Sequence, residues 1–502
     1  MKTDVLIIGA GGAGLMAAIA AKEAGVDVLV LTKEYPTRSQ TCMAQGGINA
    51  ALGNVDEDSV EDHIKNTLKS AHGLADEAAV EFMCSQAIDA IEYLDSIGVC
   101  FSRTEDGKIA QRRLGGASAP RACYAQDYTG LKILHTLYDR CNALGVRFVS
   151  DSFLLELLKD EDGKACGAKV LYLRSSEVKT YLAKAVVLAT GGYSRIYDKY
   201  STNSKASSGD GIAAALRAGV KLKDMEFVQF HPTGLKNSSI LISESARGEG
   251  GYLLNSKGER FTNELAPRDE VSRAIDAQIK KGEDIFLDIR HLGEQFIDEG
   301  LPQERKLAKL YENVDPVHDL IPIKPVAHYT MGGVAVDNHL QTNIIGLFAC
   351  GECANHSVHG ANRLGGNSLL EIVVFGREAG KNAALHVTQT DKIGLPQQQG
   401  CFLEQKFSNE IDFYVKKEEL GRVLYEKVGI VRKTSQMQEA LKMIQTLKKQ
   451  LPQMGWSDNS LVYNTNKQEF LEFRNILEVS EVMVQSALDR KESCGAHYVE
   501  VE

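Results

Sequence analysis

The residues best placed by type and spacing to do chemistry begin with a run of glycines. Gly9-Ala10-Gly11-Gly12-Ala13-Gly14 fits the pattern G-x-G-x-x-G. In such a turn the first glycine permits a tight reversal and the second lets the backbone approach a pyrophosphate. The third lets a helix pack closely on a strand, and the helix N-terminus then faces the anion. A second pattern, Cys350-Gly351-Glu352-Cys353, has the spacing of a redox dithiol. Its plainer reading is a strand end with two small apolar side chains. A third stretch, Ser39-Gln40-Thr41, places an unreactive amide where a bound cofactor is expected. An amide nitrogen is not a nucleophile, so Gln40 cannot form a covalent bond to a cofactor.

These patterns need elements to position them. Residues 5–8 and 26–31 are apolar runs, and 13–24 is a small-residue helix ended by Gly25. Together they predict a β-α-β unit on a buried parallel sheet. Residues 185–189 and 347–350 read as further strands of that sheet, so the cofactor domain is expected to be discontinuous. Residues 224–327 are rich in charges, turns and single glycines and read as an inserted α+β body. Residues 394–400 (GLPQQQG) read as a linker, and 468–491 carry a helical pattern. The fold class is therefore α/β: a Rossmann-like dinucleotide domain, an inserted α+β capping domain and a helical C-terminal domain. The expected borders are 1–223 with 328–394, then 224–327, then 395–502.

The bulk numbers exclude some functions. The chain has 502 residues, with Lys+Arg 57 against Asp+Glu 67, a net charge of −10. That balance argues against a non-specific nucleic-acid or anionic-membrane surface. The longest weakly polar run, 5–21, is interrupted by glycines and is shorter than the ~20 residues a bilayer requires. It has no basic leader of the signal-peptide kind, so direct membrane insertion is not expected and the chain reads as cytoplasmic. Ten cysteines without a paired framework suit a reducing compartment. No cysteine cluster of the iron–sulfur kind is present in the sequence, and no metal is expected.

The type of dinucleotide follows from what surrounds the glycine turn. The second strand ends Leu31-Thr32-Lys33-Glu34, with the acid displaced from where NAD ribose recognition needs it. Three segments favour FAD. Residues 185–192 (AVVLATGG) end a strand in a Thr-Gly-Gly turn. Ser208-Gly209-Asp210-Gly211 opens a helix in the manner of an N-cap. Residues 347–352 (LFACGE) place Glu352 just past a strand, where it can meet a ribityl or ribose hydroxyl.

With these motifs the sequence resembles the flavoprotein subunit of succinate dehydrogenase and fumarate reductase. The resemblance runs over residues 3–390 and returns at 491–498 (KESCGAHY). Its specific segments are AQGGINAALGN (44–54), MEFVQFHPTG (225–234), ARGEGGYLLNSKGERF (246–261), HYTMGG (328–333) and HGANRLGGNSLLE (359–371). It implies reversible interconversion of fumarate and succinate. A hydride passes between flavin N5 and one substrate carbon, and a proton passes between the protein and the other. Flavin contacts are implied for Gly9, Ala10, Gly11, Gly12, Ala13, Gly14, Thr32, Lys33, Ser39, Gln40, Thr41, Gly46, Gly47, Asp210, Glu352, Ser368 and Leu369.

A dicarboxylate needs cations or donors at both ends. The resemblance assigns His231, Ser243, His328 and Arg363 to substrate binding and Arg268 to proton transfer. Free arginine is a poor acid, so a relay must return the proton, and Glu244 and Arg247 match the family's relay positions. The resemblance also implies an iron–sulfur partner subunit, with a quinone-reactive or membrane-anchor subunit beyond it. A place at the inner face of the cell membrane, reached through those partners, follows.

Three positions depart from the family pattern. Gln40 stands where most members carry the histidine joined to the flavin, so FAD is expected to be non-covalent. Because the covalent link raises the flavin potential, its absence favours fumarate reduction. Leu114 stands where relatives place Phe, or Glu in aspartate oxidases. An ammonium buried beside Leu lacks a partner, which argues against aspartate as substrate. Cys494 replaces a usual Arg and the chain stops soon after Tyr498, so the docking surface for the electron partner is expected to differ. A stand-alone L-aspartate oxidase is the competing enzyme reading, and a non-catalytic flavin scaffold is the competing non-enzyme reading.

Overall fold

The computed structural model describes residues 1–397, 403 and 407–501. The glycine turn joins strand Lys2–Ile8 to helix Gly12–Glu23, and strand Val28–Leu31 follows. Lys2–Ile8 is flanked in parallel on both sides, with Ile7 opposite Val30 and Val187. A strand paired this way and covered on both faces has no polar side, which is why residues 5–8 form an unbroken apolar run. Strands Arg147–Val149 and Leu347–Ala349 extend the parallel sheet at Val28–Leu31 and Glu177–Leu188. The long Glu177–Leu188 strand pairs antiparallel with Ala165–Tyr172 through its first half, and Ser152–Lys159 completes the seven-stranded sheet.

Helix Gly12–Glu23 is buried from Gly12 through Ala21. Its small residues let the 22-residue helix Asn367–Thr388 lie against it. A side chain at Gly380 would sit 2.2 Å from the Ala17 carbonyl oxygen, so the two backbones touch. Through this packing the glycine turn and the N-terminus of the long helix end at the same cavity.

Residues between the two sheet segments form a separate four-stranded antiparallel sheet. Its order is Val228–Leu235, Ile321–Thr330, Ile285–Asp288, Tyr252–Leu254. Helices Arg268–Ile279, Glu294–Gly300 and Pro302–Glu312 accompany it. It has its own core around Ile242, Leu253, Ile275, Leu287 and Ile323. Strand Ile321–Thr330 runs on past the expected break at residue 327 and carries His328 back to the main body. Helices Phe413–Lys427, Thr434–Gln450 and Thr465–Asp489 follow, and Phe470, Phe473 and Ile476 share the core beneath the main sheet. Of the expected linker 394–400, residues 398–400 lie outside the described residues.

One local expectation is corrected. Ser208 does not cap a helix. Helix Asp210–Ala218 starts with Gly209 at the N-cap, in the left-handed region at φ 77°, with no side-chain cap. The Ser208 hydroxyl instead donates to Asp210 Oδ2 at 2.9 Å. Glycine at the cap position offers no side-chain oxygen to accept the first helical amides, and the Ser208 hydroxyl hydrogen goes to the carboxylate.

Candidate cofactor pocket and dicarboxylate site

One cavity runs from the glycine turn to the inserted body. It is walled by Gly9, Ala10, Gly11, Gly12, Ala13, Thr32, Lys33, Ser39, Gln40, Thr41, Gly46, Gly47, Asp210, Glu352, Ser368 and Leu369. Gly14 is not on the wall. A side chain there would meet the Gly9 carbonyl oxygen at 2.0 Å, so it serves helix–strand packing, as the third glycine of the pattern should. Gly9 has φ 113° and its missing Cβ would fall 2.1 Å from Ala189 O. No other residue fits there.

The Gly12 amide donates to Thr41 Oγ1 at 3.1 Å, which ties the turn to the 39–47 loop. Ser39 Oγ and Gln45 Oε1 are buried on the wall with no partner among the described residues. Polar atoms buried unpaired are costly, so they fit a polar ligand such as the pyrophosphate and ring of FAD. The cradle therefore fits the cofactor the sequence implies. Sequence reasoning missed Ser152 and Leu154, which the hairpin strand brings to the wall. Their segment, SFLLELLK, reads only as an ordinary, largely apolar strand.

Three predicted cofactor residues have internal partners as well. Gln40 opens a single turn, Gln40–Met43, and its Oε1 accepts the Ser204 amide at 2.6 Å. Lys33 Nζ is held by Asp210 at 2.6 Å and Glu472 at 2.9 Å, and donates to Ala206 O at 2.9 Å. Burial opposes the Lys33 charge, but the two carboxylates outweigh it and raise its pKa. Glu352 Oε1 accepts from the Thr330 amide at 2.9 Å and the Thr330 hydroxyl at 3.1 Å, and burial pushes its pKa up to about 7. Cys350 and Cys353 are free and buried, and burial pushes the Cys353 thiol up to about 11. They are the inert small side chains of the plainer reading.

At the far end the cavity gathers Leu114, His231, Ser243, Glu244, Arg268, His328 and Arg363. They come from several elements, with Ser243 and Glu244 together at the start of one short helix and His231 within strand Val228–Leu235. Arg268 opens its helix, with Nε donating to Glu244 Oε2 at 2.9 Å and Nη1 to Gln229 Oε1 at 3.0 Å. Gln229 Oε1 also accepts from Arg363 Nη2 at 3.1 Å, so one amide oxygen bridges both arginines. The Gln229 amide nitrogen donates to Arg363 O and Asn362 Oδ1, fixing the loop that carries Arg363. Gln229 sits within MEFVQFHPTG, yet an uncharged amide gave no reason to single it out.

Glu244 is buried, and burial works to raise its pKa. Arg268, Arg247 and the Gly115 amide outweigh that and hold it below the usual range. Arg247 lies 3.8 Å away at its Nη2. Burial, then Arg268, holds the His231 and His328 imidazoles well below their ordinary pKa. The Thr233 amide donates to His231 Nδ1 at 3.2 Å, so in the neutral ring the proton sits on Nε2. His328 Nδ1 shares a 2.8 Å hydrogen bond with Thr202. The Ser243 amide donates to the buried Glu304 at 3.0 Å, a residue the sequence reading passed over. Leu114, 2% exposed, gives the site an apolar wall. Arg247 and Arg268 meet one carboxylate, Glu244, while Arg363 bonds the Gln229 amide oxygen instead, so the three arginines and Glu244 together carry a net charge of +2.

Glycine turn, parallel sheet and inserted body define an FAD-binding flavoprotein. The family model for an FAD binding domain matches residues 4–369, and that for a fumarate reductase flavoprotein C-terminus matches 417–500. The succinate dehydrogenase flavoprotein subunit of Rickettsia felis is 41% identical, covering 99% of this chain and 89% of its own length. The 8-methylmenaquinol:fumarate reductase flavoprotein subunit of Wolinella succinogenes is 40% identical, covering 99% and 85%. Among solved structures, the FrdA chain of a variant E. coli quinol fumarate reductase superposes with a TM-score of 0.94 at 36% identity, covering 100% of this chain and 92% of that one. The chain belongs to the succinate dehydrogenase and fumarate reductase flavoprotein family, FAD-dependent oxidoreductases acting on succinate and fumarate.

Proposed function

We propose that this chain interconverts fumarate and succinate, with reduction the favoured direction, at a non-covalently held FAD. The observation that carries the substrate reading is the excess of three arginines, Arg247, Arg268 and Arg363, over the one carboxylate Glu244, which suits a dianion. FAD, when bound by the glycine turn, the 39–47 loop, Glu352 and Ser368, supplies or takes the hydride. The protein does the rest. Arg363, with a buried Nε that has no partner among the described residues, grips one carboxylate. His231, His328 and Ser243 receive the other, and Leu114 excludes water. Arg268 exchanges a proton with the substrate carbon, and Glu244, hydrogen-bonded to it, passes the proton on toward Arg247.

Gln40 supports the non-covalent reading and the favoured direction, since it offers no nucleophile. The borders 1–223 with 328–394, 224–327 and 395–502 are proposed for the three domains, the second acting as a mobile cap. We also propose docking on an iron–sulfur subunit, and through it on a quinone-reactive membrane subunit at the inner face of the membrane. Among the described residues no helix is long and apolar enough to cross a membrane.

The test is fumarate-dependent oxidation of reduced viologen by the FAD-loaded chain, with L-aspartate as the competing substrate. Turnover on fumarate without aspartate oxidation is expected. Rapid iminoaspartate formation defeats the proposal. Acid precipitation is expected to release all the flavin, and yellow protein in the pellet overturns the non-covalent bond.

A further inference from the structure

Behind Arg363 lies a buried polar cluster that nothing above uses. Glu371, 1% exposed, sits on the long helix one turn past its start. Its Oε1 accepts from His356 Nδ1 at 2.8 Å, and its Oε2 from His359 Nε2 at 3.2 Å and from the Tyr329 hydroxyl. The outward ring nitrogens, His356 Nε2 and His359 Nδ1, are buried with no partner among the described residues. The inner nitrogen of each ring can donate to Glu371 and leave only a lone pair facing outward, which costs less than an unpaired N–H. Three donors converge on one anionic carboxylate.

The Tyr329 ring connects this anion to the substrate end. It follows His328 directly in the chain and lines the cavity. The Arg363 guanidinium lies over its face, 4.3 Å from the ring centroid. A cation over an aromatic face is held by the ring's negative potential. A phenol that donates to a carboxylate is richer in electrons, so the same bond that satisfies Glu371 strengthens the ring's hold on Arg363.

We propose that Tyr329 and Glu371 are positioning residues for Arg363: the carboxylate polarises the phenol, and the phenol face sets the plane in which the guanidinium meets the substrate carboxylate. This rests on the reading of Arg363 as a dicarboxylate ligand. His356 and His359 orient Glu371. His356 is in turn stacked on Phe375 at 4.5 Å and 7°.

The test uses the full-length, FAD-loaded chain with malonate, a dicarboxylate that cannot react, followed by flavin absorbance. Tyr329→Phe keeps the ring and removes the bond to Glu371. It is expected to bind malonate about tenfold more weakly with FAD content unchanged. Tyr329→Leu removes the ring as well and is expected to lose about a hundredfold. Glu371→Gln should match Tyr329→Phe, and the double variant should be no worse than the weaker single one. A purely structural role predicts a lower melting temperature with malonate affinity intact. Affinity within twofold of the parent in Tyr329→Phe and Tyr329→Leu overturns the proposal, as does loss of FAD binding in Tyr329→Phe. A parent protein that neither binds malonate nor reduces fumarate instead defeats the reading of the site itself.

Discussion

The two arginines proposed to face the substrate, Arg268 and Arg363, owe their spacing to one side chain. Gln229 Oε1 receives Arg268 at 3.0 Å and Arg363 at 3.1 Å. Gln229→Leu removes that acceptor and leaves a donor unpaired on each buried guanidinium. A hydrogen bond to a charged group is worth about 1.5–3 kcal/mol. Tenfold to hundredfold lower kcat/KM for fumarate is expected, with flavin content and spectrum unchanged, measured by steady-state kinetics. Equal kinetics would leave Gln229 no more than a filler. The charged residues that line the far end of the cavity were legible in the sequence because they stand at positions to which the family resemblance assigns roles. Gln229, Glu304 and Tyr329 were not, because their roles follow from which atoms meet in space and their residue types announce no chemistry.

At the scale of elements, the contact between the inserted body and the cofactor domain turns on one helix end. Helix Pro302–Glu312 has no cap from its own chain neighbours. Asp127, from the other body, takes that place: its Oδ2 accepts the Gln303 amide at 2.6 Å and the Glu304 amide at 3.3 Å. Removing such a cap costs about 1 kcal/mol. Asp127→Ala should lower the melting temperature and raise KM for fumarate, since Glu304 holds the Ser243 amide. Burial, then Asp127, pushes the Glu304 carboxyl well above its ordinary pKa. The sign follows from linkage. The unfolded chain ionises Glu304 near its ordinary value and the folded one resists, so stability falls as pH rises from there toward the folded pKa. Glu304→Gln keeps an acceptor for Ser243 and removes that slope. Its advantage over the parent should widen by up to about 1.4 kcal/mol per pH unit within that window, read by melting curves between acid and alkaline buffers. The elements themselves were largely legible: the β-α-β unit, both later strands and the last long helix follow from apolar period. The hairpin that supplies Ser152 and Leu154 was not. Its apolar run SFLLELLK reads as a strand but carries no mark of which wall it faces.

For the whole molecule, cofactor pocket and C-terminal helices are joined through Lys33. Its ammonium stands between Asp210, at the start of a pocket helix, and Glu472, on helix Thr465–Asp489. Asn475, one turn further along that helix, donates to the other oxygen of Asp210 at 2.8 Å. Loading the pocket and docking the last helix therefore order the same few atoms. Lys33 gains partners on folding and its pKa is raised, so its contribution is complete below its unfolded value and is lost only as pH climbs through the folded one. At neutral pH it is fully present. Lys33→Met leaves two carboxylates facing each other without a cation, and breaking a buried pair costs about 3–5 kcal/mol. The expected result is weaker FAD retention on dilution together with faster amide exchange along residues 465–489. Adding Asp210→Asn and Glu472→Gln to Lys33→Met removes the uncompensated charges and should recover most of the exchange protection. If FAD retention falls while exchange in that helix is unchanged, Lys33 is a cofactor contact alone and the two bodies are not coupled through it.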